Sequence, residues 1–278
     1  MQSIGLLHPG AMGSSVGAAA KKAGCNVFWV SELRSPATAD RARKAGLEDA
    51  GTLNELVLCC DVIISVCPPA YAGQTAEAVA EFDFGGIYLD ANAVSPDRAK
   101  MTAETVKSSG GSFVDGGIIG GPAWNPGTTR LYLAGPSAQL VADCFAGSLL
   151  DTVVLPGRVG SASALKMAYA AYTKGTTALI GAILALADHE GVGDALRQEW
   201  ALSQPELAKA ADDRVRRTTA KAWRFVAEMD EIAATFSGAD LPPDFHRAAA
   251  EIYRRQIQFK DSADTPALAE VLASLLKS

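Results

Sequence analysis

The chain has 278 residues, of which 49% are hydrophobic and 20% are charged. This balance indicates folded domains with buried cores, and the length allows two of them. A net charge of −6 and an isoelectric point near 5.2 disfavour nucleic acid or an anionic membrane surface as a partner.

The five cysteines are an odd number and lack the spacing of metal ligands, which predicts free thiols in a reducing compartment and no metal site. The N-terminus shows no basic flank and apolar core of a signal peptide. The most apolar stretch, residues 175–187, is too short to span a bilayer. We therefore expect a cytoplasmic protein with no membrane partner.

The first predicted element is a short apolar strand, residues 4–7, which runs into a glycine-bearing turn and a helix of small residues. Such a turn leaves backbone N–H groups at a helix N-terminus, where they attract a phosphate. Glycine occupies two of the three positions of the dinucleotide fingerprint, and a histidine takes the first. The turn predicts cofactor-binding residues, with an ordinary strand-to-helix turn as the alternative: His8, Pro9, Gly10, Ala11, Met12 and Gly13.

Apolar runs alternate with alanine-rich segments of helical length through the first half of the chain. The runs occur at residues 4–7, 27–30, 62–66, 87–89, 113–114, 131–134 and 153–155. Continuous apolar strands separated by helices are typical of a parallel sheet that is covered on both faces. The pattern predicts an α/β fold class, with an N-terminal Rossmann doubly wound sheet over residues 1–158.

Polar, glycine-rich and proline-rich residues follow five of these strands in succession, which favours a ligand at the carboxyl edge of the sheet. After the second strand, an acidic group would accept the ribose hydroxyls of NAD, whereas an arginine would pair with the 2′-phosphate of NADP. Ser31, Arg34 and Ser35 favour NADP slightly, and Glu32 favours NAD. The third and fourth strand ends add further candidates for the cofactor: Cys67, Pro68, Pro69 and Asn92.

From about Ser161 the pattern is almost wholly helical, which predicts an all-α C-terminal domain over residues 159–278. At 100° per residue, Lys166, Tyr169, Thr173 and Thr177 share one polar stripe on an otherwise apolar helix. A lysine in a partly desolvated cleft can take and return a hydroxyl proton, so Lys166 is the candidate general acid/base. The alternative is that Lys166 extends into solvent at the domain junction. Lys174 lies off the stripe and is predicted to be solvated.

These motifs resemble the β-hydroxyacid dehydrogenases, which include 3-hydroxyisobutyrate, tartronate semialdehyde and 6-phosphogluconate dehydrogenases. The chain is most similar to a bacterial 6-phosphogluconate-dehydrogenase-like subgroup with a small helical C-terminal domain of unknown function. The family's glycine turn, with methionine before its last glycine, matches residues 8–13, and its glycine–lysine motif matches Gly160 and Lys166.

Three positions depart from the family's pattern. Ile119 stands where the substrate loop has a serine, Tyr169 where an asparagine follows the lysine, and Asn92 where a serine or threonine is usual. The departures suggest a bulkier or less polar substrate than the family's usual ones. The resemblance implies the substrate-binding residues Asn92, Ile119, Gly120, Gly121, Tyr169 and Thr173.

The resemblance implies hydride transfer between a nicotinamide cofactor and a β-hydroxy acid, with NADP slightly preferred over NAD and Lys166 handling the proton. It also implies a homodimer, with the helical domain serving substrate binding and dimerisation. Two other functions stay open. One is an imine reductase in which Tyr169 is the proton donor, and the other is an NADP-binding sensor without turnover.

Overall fold

The computed structural model describes residues 2–276, which form two compact units that divide between Met167 and Ala168. The division falls inside one continuous helical segment, Ser161–His189. The boundary predicted from the sequence, between residues 158 and 159, lies just before this helix and stays a prediction.

The first unit contains a single eight-stranded sheet with the order β3-β2-β1-β4-β5-β6-β7-β8. The strands are β1 Ser3–Leu6, β2 Asn26–Val30, β3 Glu48–Gly51, β4 Val62–Ser65, β5 Ile87–Asp90, β6 Ser112–Gly120, β7 Thr129–Ala134 and β8 Asp151–Val154. Its helices are α1 Ala11–Lys22, α2 Pro36–Lys44, α3 Leu53–Cys59, α4 Ala72–Ala80, α5 Pro96–Ser108, α6 Ala138–Asp143 and α7 Ser161–Ala170, whose last residues enter the second unit.

Separate apolar cores cover the two faces of the sheet, because successive side chains of each strand point to opposite faces. One core includes Leu6, Ile64 and Leu89, and the other includes Ile63 and Tyr88. The α/β fold with a doubly wound sheet is therefore confirmed.

The sheet differs from the sequence-based expectation in two details. Strand β3 was missed because its sequence, Glu-Asp-Ala-Gly, has no apolar run, which an edge strand does not need. Strand β7 pairs antiparallel with β6, so the prediction of a wholly parallel sheet was wrong at its last two strands.

The second unit is helical, with a core that includes Ile180, Leu184, Val215 and Leu272. Its helices are α8 Thr176–His189, α9 Gly193–Ser203, α10 Pro205–Arg216, α11 Ala222–Ser237, α12 Asp244–Arg254 and α13 Leu268–Leu276. A π-helical turn, Ala171–Gly175, separates α7 from α8.

The helical segment Ser161–His189 is 29 residues long, and by length and composition alone it could cross a membrane. The sequence-based prediction concerned residues 175–187 alone, which form only part of this helix. In its most apolar window, however, 56% of the residues are buried within the protein, as in the core helix of a water-soluble protein.

Candidate cofactor and catalytic site

In the turn between β1 and α1, the Gly10 N–H donates to the His8 carbonyl oxygen at 2.8 Å. The N–H groups of the first turn of α1 meet no side-chain cap and no acidic residue of that turn, so they can receive an anion. A Cβ at position 13 would lie 2.1 Å from the carbonyl oxygen of His8, so only glycine fits there. A Cβ at Gly10 would meet no atom within 4 Å. The turn thus combines a required glycine with an open one, which is the arrangement a pyrophosphate needs for close backbone approach.

A cleft of about 480 Å³ opens beside this turn, at the carboxyl ends of β1, β2 and β4. Its lining includes His8, Arg34, Cys67 and Pro68. Burial, with a smaller effect of the Arg34 charge, lowers the pKa of His8 to about 4, so the imidazole is neutral near pH 7. Within the described residues, the buried Nδ1 of His8 has no hydrogen-bond partner. An orphaned ring nitrogen and an arginine in one cleft fit the ribose and phosphate groups of a dinucleotide.

The four predicted cofactor residues that follow β2 have different environments in the structure. Of the four, Arg34 lines the cleft, whereas the hydroxyl of Ser35 accepts the Thr38 N–H at 3.3 Å and caps α2. Ser31 and Glu32 donate their backbone N–H groups to the carbonyl of Gly51, and the Glu32 side chain is exposed.

Asn92 is buried, and its amide fixes the loop that follows β4. Its Oδ1 accepts the backbone N–H of Cys67 at 2.6 Å, and its Nδ2 donates to the hydroxyl of Ser65 at 3.0 Å. Pro68 and Pro69 follow this fixed point, and Pro69 begins a short 3₁₀ turn, Pro69–Tyr71. Both amide atoms of Asn92 therefore serve the position of the Cys67–Pro69 loop.

At the end of β6, the three predicted substrate residues have distinct environments. Ile119 is buried, with 4% of its surface exposed. Gly120 has a φ of +121°, and a Cβ there would lie 2.2 Å from the carbonyl oxygen of Thr128, so the turn into β7 requires glycine. A Cβ at Gly121 would meet nothing within 4 Å, which leaves room for a ligand to approach.

Lys166 lies on α7, which packs directly on β6. A Cβ at Gly117 would lie 2.7 Å from the carbonyl oxygen of Ala162 and 3.1 Å from the Cβ of Lys166. The side chain of Lys166 is half-buried. Asp115, two residues before Gly117, accepts hydrogen bonds from the first turn of the same helix. Strand β6 therefore determines where the lysine stands.

A buried polar row crosses the sheet next to this helix, at register positions shared by Ser65, Asp90 and Asp115. Asp90 accepts the Asn92 N–H at 2.9 Å through Oδ1, and its Oδ2 has no partner among the described residues. Burial, with the nearby charge of Asp115, raises the pKa of Asp90 to about 7 against the lowering effect of the bond from Asn92. A substantial fraction of Asp90 is thus uncharged near neutrality.

In the second unit, the structure breaks the predicted polar stripe. Because Ala171–Gly175 forms a π turn, the angular spacing of an α-helix does not carry through to Thr177. Tyr169 is exposed, and the hydroxyl of Thr173 donates to its carbonyl oxygen at 3.2 Å. Thr177 is buried, and its hydroxyl accepts from Nε of Arg214 at 2.7 Å.

Lys174 contradicts the prediction of a solvated side chain. Only 18% of its side chain is exposed, it pairs with the carboxylate of Glu228, and its ammonium lies 4.6 Å from the ring centroid of Phe225. The hydroxyl of Tyr253 donates to the Lys174 carbonyl at 2.8 Å. The prediction from the 100° spacing was wrong here because neither the π turn nor the acidic partner on α11 can be read from the local sequence.

Two further residues support the site without having been singled out from the sequence. Arg41 on α2 donates from Nε to the carbonyl of Pro9 at 3.1 Å and so braces the turn before α1. The hydroxyl of Ser15 on α1 accepts the Ala123 N–H at 3.0 Å, which ties the loop after β6 to the same helix. Asp90 could have been found from the sequence, because it directly follows an apolar run. The interactions of Arg41 and Ser15 join residues that are distant in the sequence, so no local pattern indicates them.

Comparison with known proteins gives two family matches. The family described as the NAD binding domain of 6-phosphogluconate dehydrogenase matches residues 3–144, and the domain of unknown function DUF1932 matches residues 187–256. The mitochondrial 3-hydroxyisobutyrate dehydrogenase of Drosophila melanogaster is 27% identical over 145 residues, which cover 50% of this chain and 43% of that protein. An uncharacterized 28.5 kDa protein of Methanothermus fervidus is 28% identical over 59% of this chain and 62% of its own length. The chain thus spans less than two thirds of both relatives.

Solved structures share the fold over most of the chain. A conserved protein of unknown function, described as structurally similar to 3-hydroxyacid dehydrogenases, is 25% identical with a TM-score of 0.69, covering 91% of this chain and 98% of its own. The 3-hydroxyisobutyrate dehydrogenase of Mycobacterium tuberculosis with L-serine is 18% identical, with a TM-score of 0.71 and full coverage of both chains. Imine reductases and a reductive aminase, one with NAD⁺ and one with NADPH, share the fold at 15 to 20% identity and TM-scores of 0.54 to 0.56, covering 98 to 100% of this chain and 99 to 100% of theirs.

Proposed function

Because the chain belongs to the family of the NAD binding domain of 6-phosphogluconate dehydrogenase, we propose that it is an NAD(P)-dependent oxidoreductase of hydroxy acids. It transfers a hydride between a nicotinamide and a β-hydroxy acid or related hydroxy or oxo compound. The observation that carries this proposal is the half-buried Lys166 on a helix held against β6, in the same unit as the glycine turn and cleft that fit a dinucleotide.

The cofactor, when bound, accepts or donates a hydride at the substrate carbon. The residues of the chain bind it and manage the proton. The N–H groups of the first turn of α1, residues 11–13, hold the pyrophosphate. Lys166 takes the hydroxyl proton at Nζ during oxidation and returns it during reduction. Asn92 acts through the Cys67–Pro69 loop that it fixes, and the open space at Gly121 admits the substrate.

NADP is the slightly preferred cofactor in this proposal. Arg34 lines the cleft and is the cation that would pair with the 2′-phosphate. Glu32, the group that would favour NAD, is exposed and is not among the residues that line the cleft. Ser31 and Ser35 flank the pair and can donate hydroxyl protons to a phosphate.

Imine reduction is the second candidate, because Tyr169 offers a phenol at the position where the family has an asparagine. Tyr169 is exposed, and imine reductases share this fold. In that reaction the phenol donates the proton and Lys166 is dispensable. A sensor that binds NADP without turnover is the third possibility, and it accounts for the changed residues at Ile119 and Tyr169.

We further propose a cytoplasmic homodimer that binds small molecules and neither nucleic acid nor membrane. The negative net charge supports the absence of nucleic acid. Large apolar side chains of the helical unit, Tyr172, Leu179 and Leu186, are exposed along one long helix. Such a face is suited to burial against a second copy of the chain.

The proposed function is tested by measuring oxidation and reduction with NADP and NAD for the wild type, Lys166→Ala and Tyr169→Phe. The panel contains small hydroxy acids, bulkier aryl hydroxy acids, their oxo forms and cyclic imines. Lys107→Ala, which removes an exposed lysine of α5, is the matched control. We expect turnover of a hydroxy acid, a preference for NADP, and a loss of about 100-fold or more in Lys166→Ala alone.

Other outcomes would replace this proposal. If Tyr169→Phe loses activity on an imine while Lys166→Ala keeps it, imine reduction is the function. If the wild type binds NADP tightly and turns over no compound, the sensor is favoured. If small polar hydroxy acids are the best substrates, the expectation of a bulkier substrate is wrong.

A further inference from the structure

We propose that Asp115 is a positioning residue for Lys166: its carboxylate holds the first turn of α7 on β6 and thereby sets the place of the lysine. This inference rests on the proposed function, in which Lys166 moves the proton. It assigns a task to a buried acid that does not touch the substrate in that reaction.

Four hydrogen bonds converge on the Asp115 carboxylate. Its Oδ2 accepts the backbone N–H groups of Gly160 at 2.8 Å, Ala162 at 2.8 Å and Ser163 at 3.1 Å. Its Oδ1 accepts the hydroxyl of Ser163 at 2.6 Å. All four partners donate, so the arrangement suits the ionised carboxylate.

These hydrogen bonds also satisfy backbone N–H groups at the start of the helix. The first N–H groups of an α-helix have no partner within the helix, and a carboxylate there is favoured by the helix dipole. An ordinary cap is the residue just before the helix, but Asp115 reaches α7 from a strand more than forty positions earlier in the sequence. The cap therefore also ties the helix to the sheet.

Close backbone packing makes this tie rigid. Position 117 on the same face of β6 has no room for a Cβ, because it would lie 2.7 Å from the Ala162 carbonyl oxygen and 3.1 Å from the Cβ of Lys166. Asp115 thus fixes the start of α7. Gly117, which has no Cβ, allows α7 to pack closely against β6 one helical turn later. The Cβ of Lys166 is one of the atoms at this close contact.

The same hydrogen bonds exclude a different use of this helix end. Because the N–H groups of Gly160, Ala162 and Ser163 are occupied by Asp115, they cannot serve as an anion site for a substrate carboxylate. Burial raises the pKa of Asp115, and the bonds from Ser163, Ala162 and Gly160 oppose that rise. The first turn of α7 therefore positions Lys166 and does not itself bind the substrate.

The test compares Asp115→Ala, Asp115→Asn and Ser163→Ala with the control Thr52→Ala. Asparagine keeps one acceptor oxygen and is nearly as good a helix cap as aspartate. Ser163→Ala removes one of the four bonds and leaves the backbone donors in place, so it stays informative if Asp115→Ala does not fold. Thr52→Ala removes a side-chain cap from a different helix, α3, where the Thr52 hydroxyl accepts the Glu55 N–H and the Glu55 carboxylate accepts the Thr52 N–H.

We expect kcat to fall by about 10- to 100-fold in Asp115→Ala, because a displacement of about 1 Å in a catalytic group can cost that much. The KM for NADP stays at the wild-type value, Asp115→Asn recovers part of kcat, and Ser163→Ala loses least. Thr52→Ala keeps the wild-type kcat. A loss of kcat in Thr52→Ala as large as that in Asp115→Ala would show a general effect of lost stability and would overturn the inference.

A second readout does not depend on turnover. Each protein is treated with an acetylating reagent selective for amines, and the labelling rate of Lys166 is measured by peptide mass spectrometry with and without NADP. We expect NADP to protect Lys166 in the wild type and to protect it less in Asp115→Ala. Equal protection in both, or none in the wild type, overturns the inference. If no compound is turned over, the proposed function fails, and the labelling still decides the role of Asp115.

Discussion

Replacing Asp90 with asparagine should remove a dependence of stability on pH that this one buried carboxyl creates. Its Oδ1 accepts the Asn92 N–H, its Oδ2 has no partner among the described residues, and Asp115 lies beside it in register on β6. Tyr88, Cys67 and Arg98 are other titratable groups that interact with it. Burial, with the charge of Asp115, raises the pKa of Asp90 to about 7.

The sign follows from proton binding. Because the pKa of Asp90 in the folded protein lies above the ordinary value of 3.8, the folded state holds this proton more tightly than the unfolded state. The stabilising contribution is therefore complete below about pH 4 and is lost as pH rises through about 7. Between about pH 5 and pH 8, the free energy of unfolding should fall by about 2 to 3 kcal/mol in the wild type relative to Asp90→Asn.

Urea unfolding of both proteins at several pH values measures this difference. Hydrogen exchange of the amides in β4, β5 and β6 assigns the transition to the first unit. Asp83→Asn, which changes an exposed aspartate, is the control for the general effect of removing a negative charge. A difference between wild type and Asp90→Asn that stays constant with pH would refute the reasoning, because it would mean that Asp90 titrates at its ordinary pKa.

Three further predictions concern the glycine turn and the helical unit. Gly13→Ala should cost about 1 to 3 kcal/mol of stability because its Cβ would lie 2.1 Å from the His8 carbonyl oxygen. Gly10→Ala should unfold like the wild type and bind NADP more weakly by calorimetry; unchanged binding would contradict the site. Lys174→Met should cost about 3 kcal/mol or more because it removes the cation that pairs with the buried carboxylate of Glu228, and removing both charges should cost less. Equal losses in urea unfolding would contradict that pairing.

Much of the architecture follows from local sequence patterns. The apolar run before Gly10 and Gly13 and the alternation of strands with helices predict a doubly wound sheet, because each depends on residues close together in the chain. Glycine and proline likewise mark helix boundaries in the second unit, where α8 ends at His189 and α9 and α10 begin at Gly193 and Pro205. The resemblance to β-hydroxyacid dehydrogenases rests on such short motifs, and the family match confirms it.

What the sequence left open depends on interactions between distant residues. The reversal of β7, the π turn at Ala171–Gly175 and the pairing of Lys174 with Glu228 are decided by tertiary packing, and local periodicity carries no record of them. The same holds for Asp115, which lies within β6 and caps the distant helix α7 only in the folded chain. The sequence alone therefore predicted most of the strands and helices and supplied the candidate site residues. Tertiary structure decided which polar groups are buried. A buried polar group needs a partner, as Lys174 and Asp115 show, and burial shifts the pKa of a carboxyl group, as Asp90 shows.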